Sequence, residues 1–307
     1  MFKRILLATS ASPACDNAAK VAFDLAKRHG ARLFVFHVLG LPSRAFSLDV
    51  DDVRTGDKEN ISTDYHAWVV EELKNTYAEQ LAGNGDNIVL KAVIGIPSTE
   101  ILRYARQENV DLIIMGANTR EENVGSARSR SFIGNTMQRV TKAARCPVLI
   151  INRPCTTCWN LFSNIIFCTD FSKTADAAFA FARNTAQEIG AKLYLFHAVD
   201  LSSQLLGLYS GQVEIERLIA KAKQKMEEKY IARLGDFDNY EVEIWEGTPY
   251  VEVLKFTREK QGDLIVMAHH AKEVPEEEAE IGSTVEQVVL RSACPVASVS
   301  HLDKIEA

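Results

Sequence analysis

One ordered set of short segments occurs twice in this chain. Arg4-Ile-Leu-Leu-Ala8 recurs as Asn164-Ile-Ile-Phe-Cys168, Gly30-Ala-Arg-Leu33 as Gly190-Ala-Lys-Leu193, and Phe34-Val-Phe-His37 as Tyr194-Leu-Phe-His197, all offset by 160 positions. Further on, Gly95-Ile-Pro97 matches Gly247-Thr-Pro249 and Asp111-Leu-Ile-Ile-Met115 matches Asp263-Leu-Ile-Val-Met267 at an offset of 152. Cys146-Pro-Val148 matches Cys294-Pro-Val296 at 148. The order is kept while the offset drifts, as happens when insertions and deletions fall in loops. The chain therefore reads as two copies of one unit, residues 1–153 and 161–307, with 154–160 as a linker. A length of 307 residues accommodates two such domains.

Each copy alternates strand-like and helix-like segments. Ala18, Val21, Ala22, Leu25 and Ala26 recur at helical spacing and predict a helix over Asp16–His29, closed by Gly30. Leu33–Leu39 is apolar on both faces, as in a strand covered by helices on either side. A polar, acidic loop around Asp49–Asp57 follows, then a helix near Thr63–Leu81 and a strand near Ile88–Val93. Pro97 and Ser98 open a third helix. Leu112–Met115 is a strand, and a helix near Thr136–Ala144 and a strand at Val148–Ile151 close the unit. This alternation predicts an α/β fold of two doubly wound, five-stranded parallel sheets. Ligands of such sheets bind beyond the C-terminal strand ends, here the segments after Ala8, Leu39 and Met115, and after Cys168, Val199 and Met267.

Charge and hydropathy narrow the partners. A net charge of −6 and a pI near 5.7 argue against nucleic acid as the main partner, because phosphate neutralisation needs clustered cations. Apolar runs such as Leu33–Leu39 and Leu112–Met115 are strand-length, short of the ~20 residues of a membrane span. The first residues, Met1 to Ile5, enter a strand pattern without a signal-like apolar core, so a cytoplasmic location is expected. Cys146, Cys168 and Cys294 fall in or beside strands, where Cys in a reducing compartment behaves as a small apolar residue.

These segments together resemble the universal stress protein family, in its tandem form. The resemblance rests on Ile-Leu-Leu-Ala-Thr at 5–9, the strand-two His, Gly-x-Pro, Asp-Leu-Ile-(Ile/Val)-Met and Cys-Pro-Val, and it covers nearly the whole chain. It implies an adenine nucleotide alpha hydrolase-like fold, with the two domains packed as a pseudo-dimer through their last strands, Val148–Ile151 and Val296–Val299, and a further homodimer as an option. It also implies a role in stress survival. Family members that bind ATP resemble one another in Gly-x2-Gly-x9-Gly-(Ser/Thr) after strand four and in an Asp at the end of strand one. Glycines let backbone N–H groups approach phosphates, and a helix N-terminus favours anions.

Both copies depart from that pattern, in complementary ways. In the first, Gly116 holds the first glycine position, Thr119 the second, and Gly134-Asn135-Thr136 the last, with an intervening segment about five residues too long; Ser10 replaces the Asp. In the second, Asp170 is present and Gly282-Ser283-Thr284 is intact, but Ala268 and Ala271 replace the first two glycines. Together with Ala198 at the end of strand two, these residues are the candidate nucleotide contacts, with ATP and Mg as the candidate cofactors. Arg120, Arg128 and Arg130 form a candidate anion clamp in a loop of the first copy. The equivalent stretch of the second copy carries five glutamates between 273 and 280, which would repel a triphosphate.

Other candidates have plainer explanations. His269-His270, with His197 as third ligand, lacks metal-ligand spacing and reads as loop replacement. Cys155-Thr-Thr-Cys158 has redox and zinc spacing but lies in the linker. His37 and His197 read as hydrogen-bonded residues at strand ends. No Gly-x-Ser-x-Gly elbow occurs, and no catalytic constellation stands out. Three functions are left: a regulatory stress protein that binds adenine nucleotide or protein partners, an ATP-dependent switch with slow hydrolysis or nucleotidyl transfer, and a carrier of an apolar ligand.

Overall fold

The computed structural model describes residues 2–12, 15–40, 49–51, 58–60, 63–82, 87–117, 119–122, 130–152, 162–201, 212–269, 283–299 and 301. The chain divides into two compact units, Met1–Asn152 and Arg153–Ala307. The expected linker 154–160, with Cys155 and Cys158, lies outside the described residues.

In the first unit, β1 (Arg4–Thr9), α1 (Asp16–His29), β2 (Arg32–Gly40), β3 (Asp49–Asp51), β4 (Lys58–Asn60), α2 (Thr63–Thr76), α3 (Ala78–Ala82), β5 (Ile88–Gly95), α4 (Pro97–Gln107), β6 (Leu112–Gly116), β7 (Thr119–Glu122), β8 (Arg130–Ile133), α5 (Asn135–Ala143) and β9 (Val148–Ile151) follow in order. Its main sheet runs β5-β2-β1-β6-β9, parallel throughout. In the second unit, β10 (Asn164–Cys168), α6 (Ala175–Ile189), β11 (Lys192–Val199), α7 (Gln212–Lys229), β12 (Tyr240–Glu246), α8 (Pro249–Glu259), β13 (Leu264–Met267), α9 (Ser283–Arg291) and β14 (Val296–Ser298) repeat the plan, with the order β12-β11-β10-β13-β14. The topological switch point falls beside β1 in one unit and β10 in the other.

The cores follow from burial on both sheet faces. Ile5, Leu6 and Leu7 are fully buried, as are Ile165, Ile166 and Phe167 at the equivalent positions. Each such side chain contributes roughly 1.5–3 kcal/mol on leaving water. Helix α1 spans the predicted residues and ends on Gly30 in the left-handed region. Its buried face is made by Ala18, Ala19, Ala22, Phe23, Leu25 and Ala26. Val21, expected in that face, is only half-buried, whereas Phe23 is buried and its ring lies 5.7 Å from that of Tyr77.

The sequence motifs shared by the copies turn out to be structural fasteners. Asp111 Oδ2 accepts the backbone N–H groups of Lys3 (2.7 Å) and Arg4 (3.1 Å), and Asp263 accepts those of Ser163 (2.6 Å) and Asn164 (3.1 Å), so each carboxylate ties the start of the first strand to the fourth. In Gly-x-Pro, Gly247 has φ +139°, and a Cβ there would lie 2.9 Å from Glu252 Oε1. Only glycine lets the Glu of the following helix fold back over the turn. Cys146, Cys168 and Cys294 are buried thiols outside any disulfide, as expected. Burial pushes the Cys294 thiol up to about 11 and the Cys168 thiol higher still.

Two expected loops contain ladders instead. Asp49–Asp51 pairs antiparallel with Lys58–Asn60 inside the acidic connection, and Thr119–Glu122 pairs antiparallel with Arg130–Ile133 inside the long segment after β6. Residues 119–122 and 130–133 of that long segment thus form an antiparallel ladder. An insertion of that length must satisfy its own backbone donors and acceptors, and a ladder does so. The helix expected over Thr63–Leu81 is interrupted between Thr76 and Ala78.

Candidate functional site

The C-terminal strand ends of the two units share a cluster that the sequence did not reveal. In the first unit, Thr9 Oγ1 shares a hydrogen bond of 2.7 Å with Tyr77 Oη and accepts the Ala11 N–H at 2.9 Å. His37 Nδ1 donates to the Thr9 carbonyl at 2.9 Å. In the second, Thr169 Oγ1 pairs with Tyr230 Oη at 2.8 Å and accepts the Phe171 N–H at 2.9 Å, and His197 Nδ1 donates to the Thr169 carbonyl at 2.7 Å. Ala11 and Phe171 both take left-handed backbone angles, φ 55° and 63°. That conformation costs a non-glycine residue roughly 1–2 kcal/mol, offset here by the fastened N–H. Burial pushes the Tyr77 hydroxyl up to about 12 and raises that of Tyr230 too, so both stay protonated. Tyr77 and Tyr230 are offset by 153, inside the drift of the repeat; carrying the alignment through the second helix of each copy would have paired them.

On this shared frame the two ends carry different chemistry. In the first unit, Ser10 turns its hydroxyl to Ser12 Oγ (2.8 Å) and Cys15 Sγ (3.3 Å). In the second, Asp170 is exposed; its Oδ1 accepts the Ser172 N–H at 2.8 Å. The Phe171 ring lies against the His197 ring, centroids 4.4 Å apart, and Lys225 Nζ is 5.6 Å from the centroid of Phe171. Burial lowers the His197 pKa; the Thr169 carbonyl and the Asp170 charge oppose that shift, and Lys225 adds to it. His197 is thus held as a neutral imidazole by its own fold, with the tautomer fixed by the Thr169 carbonyl. Both histidines are hydrogen-bonded strand-end residues, as the sequence suggested.

The candidate phosphate side of the first unit comprises Gly116, the hairpin and the start of α5. The register places Thr119 opposite Ile133, so the hairpin base stands between the end of β6 and the start of α5 along the chain. Gly134 is the N-cap of α5, at φ −62° and ψ 140°, and having no side chain it supplies no side-chain cap to the first-turn N–H groups. Asn135 is exposed and Thr136 half-buried in that first turn. Arg120 and Arg130 stand in the two hairpin strands, and Arg128 lies outside the described residues. In the second unit α9 starts at Ser283, followed by a half-buried Thr284, and Gly282 and Ala271 lie outside the described residues. Ala198 sits in β11 opposite Trp245. His269 is buried and His270 lies outside the described residues. Among the described residues no group of three or more His, Cys, Asp and Glu is placed to hold a metal ion.

The first unit thus carries Gly116, Thr119, Gly134, Asn135 and Thr136 along the segment from the end of β6 to the start of α5, and the second carries Asp170 just after β10 and His197 and Ala198 near the end of β11. The first group includes a helix start without a side-chain cap and no carboxylate; the second includes the exposed Asp170 carboxylate.

Comparison with known proteins agrees with this architecture. The profile of the Universal stress protein family matches residues 1–152 and again 161–300. A universal stress protein of Methanocaldococcus jannaschii is 29% identical over 162 residues, covering 50% of this chain and 84% of that protein. One of Thermus aquaticus is 33% identical over 155 residues, 49% of this chain and 99% of its own length. Over the whole chain, the crystal structure of a universal stress protein from Archaeoglobus fulgidus superposes with a TM-score of 0.65 at 21% identity, covering 97% of this chain and 98% of that one. Likeness at that identity speaks for the fold alone. No helix among the described residues is long and apolar enough to cross a membrane.

Proposed function

The chain belongs to the Universal stress protein family, and from that premise we propose that it is a stress-response regulatory protein that acts by binding, with an adenine nucleotide as the ligand of its first copy. The observation that carries this reading is the N-terminus of α5 at Gly134, which has no side-chain cap and directly follows the hairpin strand β8. Backbone N–H groups and the helix dipole there suit a phosphate. Mg would neutralise part of a triphosphate's charge at that end. The nucleoside end of the first copy fits less well, since the Ser10 hydroxyl is engaged with Ser12 and Cys15 where a carboxylate would be wanted. The second copy has the reverse balance: Asp170 is exposed for a ligand donor, while Ala268 takes the place of the first phosphate-side glycine. The first copy thus keeps more of the phosphate loop without the carboxylate, and the second keeps the carboxylate and the Gly282-Ser283-Thr284 helix start without the loop glycines. That division favours recognition and response over rapid turnover, and protein partners, including a second copy of the chain, complete the proposal.

The test is calorimetric titration of nucleotide-stripped protein with Mg·ATP, beside Gly134→Asp and Asp170→Ala, with phosphate release followed in parallel. We expect Gly134→Asp to abolish binding, since a carboxylate would cap the helix and repel phosphate, and Asp170→Ala to keep it. Binding untouched by Gly134→Asp would sink the first-copy assignment, and phosphate release at several turnovers per second would replace the regulatory reading with an enzymatic one. Sedimentation of the intact chain decides between monomer and homodimer.

A further inference from the structure

The turn carrying Asp170 is fastened by a group that the first copy lacks. Lys229, the last residue of α7, donates from Nζ to the carbonyls of Phe171 (2.9 Å) and Ser172 (2.8 Å), and the same ammonium pairs with Asp176 at 3.3 Å. Next to it, Tyr230 holds Thr169, which in turn holds the Phe171 N–H. The two neighbouring residues of α7 and its end thus grip both the donor and the acceptor sides of a left-handed turn. Tyr77 aligns with Tyr230 through the shared Thr bond, which places Thr76 at the position of Lys229 and Glu72 at that of Lys225. Thr76 is spent within its own helix, donating to the Glu72 carbonyl at 2.8 Å. The first copy keeps the Thr–Tyr half of the fastening and not the Lys half.

We propose that Lys229 is a positioning residue of the second copy: by strapping the Phe171–Ser172 carbonyls it holds the Asp170 carboxylate in one orientation, ready to accept a hydrogen bond from a ligand hydroxyl or amine. Asp170 Oδ1 is already turned back onto the Ser172 N–H, so the direction of its second oxygen depends on the turn keeping its shape. A strapped turn meets the ligand without an ordering cost, which is the origin of preorganised affinity. Lys229 also neutralises the nearby Asp176, so the turn is held by a cation whose charge does not quench Asp170 alone. The ligand part of the inference rests on the nucleotide reading above, here restricted to the nucleoside moiety; the strap itself does not.

The experiment uses the full chain and adenosine as the probe, with wild type, Lys229→Met, Lys229→Arg, Asp170→Asn and the double variant Lys229→Met/Asp170→Asn. Adenosine affinity should fall about tenfold in Lys229→Met, recover in part in Lys229→Arg, and fall no further in the double variant than in Asp170→Asn, because Lys229 acts through Asp170. Additive losses in the double variant, or unchanged affinity in Lys229→Met, overturn the positioning role. Amide exchange at Phe171 and Ser172 is measured on the same proteins without ligand. Faster exchange confined to that turn in Lys229→Met upholds the strap even where wild type binds no adenosine, in which case the nucleotide reading of the second copy is what has failed. Exchange equal to wild type removes the strap as well.

Discussion

The two strand-end turns, Thr9–Ser12 and Thr169–Ser172, have the same backbone and opposite chemistry. Each is pinned by a Thr–Tyr hydroxyl pair and a histidine on the Thr carbonyl, and each passes through a left-handed residue. Around that frame, Ser10 faces Asp170, Ala11 faces Phe171, and Glu72 and Thr76 face Lys225 and Lys229. Duplication has left the hydrogen bonds that shape the turn intact and let the groups at its rim drift. The frame is under the constraint of buried polar groups, where losing one partner strands the other at a cost of about 1–3 kcal/mol. The rim is free to change.

The largest expected effect breaks the frame's support. Phe167, fully buried against Phe179 and Tyr230, should cost about 3–5 kcal/mol as Phe167→Ala, and Leu7→Ala at the equivalent place in the first unit about 2–5. Calorimetric unfolding of the two variants reads whether one transition moves or both; separate transitions, each moved by its own variant, would establish the copies as independent folding units. Next comes the hydroxyl pair. Tyr230→Phe and Tyr77→Phe should each cost about 1–3 kcal/mol by chemical denaturation, because a buried Thr hydroxyl loses its partner. Equal costs support the shared frame, and a neutral result in one copy would show that its pair is incidental.

Acid tests the comparison at the histidines. His197 has a folded pKa below its unfolded value, so the unfolded chain takes up its proton first as pH falls. Its contribution to stability is complete above the unfolded pKa, near 6.5, and declines as pH drops from there toward the folded value. The denaturation midpoint should fall between pH 7 and pH 5 more steeply in wild type than in His197→Gln; identical slopes would show that the imidazole is not the titrating group. The smallest effect is a gain. Thr76→Lys should install the missing strap in the first copy and slow amide exchange at Ala11, with stability changed by no more than about 0.5 kcal/mol.

How much could be read beforehand follows from where the constraints lie. Strands β1, β2, β6 and their counterparts are buried on both faces, so burial writes itself as unbroken apolar runs, and the segment order survives loop insertions. Helix α1 announced both ends through its apolar spacing and Gly30. The motifs that made the family recognisable, Asp-Leu-Ile and Gly-x-Pro, serve the scaffold and reveal little of the ligand. The Thr9–Tyr77 pair was hidden because its partners lie 68 residues apart and neither belongs to a periodic pattern. The hairpin Thr119–Ile133 was hidden because Thr-Arg-Glu-Glu carries none of the β-branched alternation that marks a strand. Lys229 reads as one more charge on an amphipathic helix until the turn it reaches has been folded.

The carboxylates at the other edge of the sheets set a schedule for synthesis. Lys3 and Arg4 cannot be fastened until Asp111 has left the ribosome, and Asn164 waits in the same way for Asp263, 99 residues later. At about 5–20 residues per second, that is a delay of roughly 5–20 s for each copy. During it β1 or β10, each with a run of buried apolar residues, is without the neighbour that covers one of its edges. The nascent chain passes through this exposed interval twice, and the first copy can close its sheet while the second is still being made.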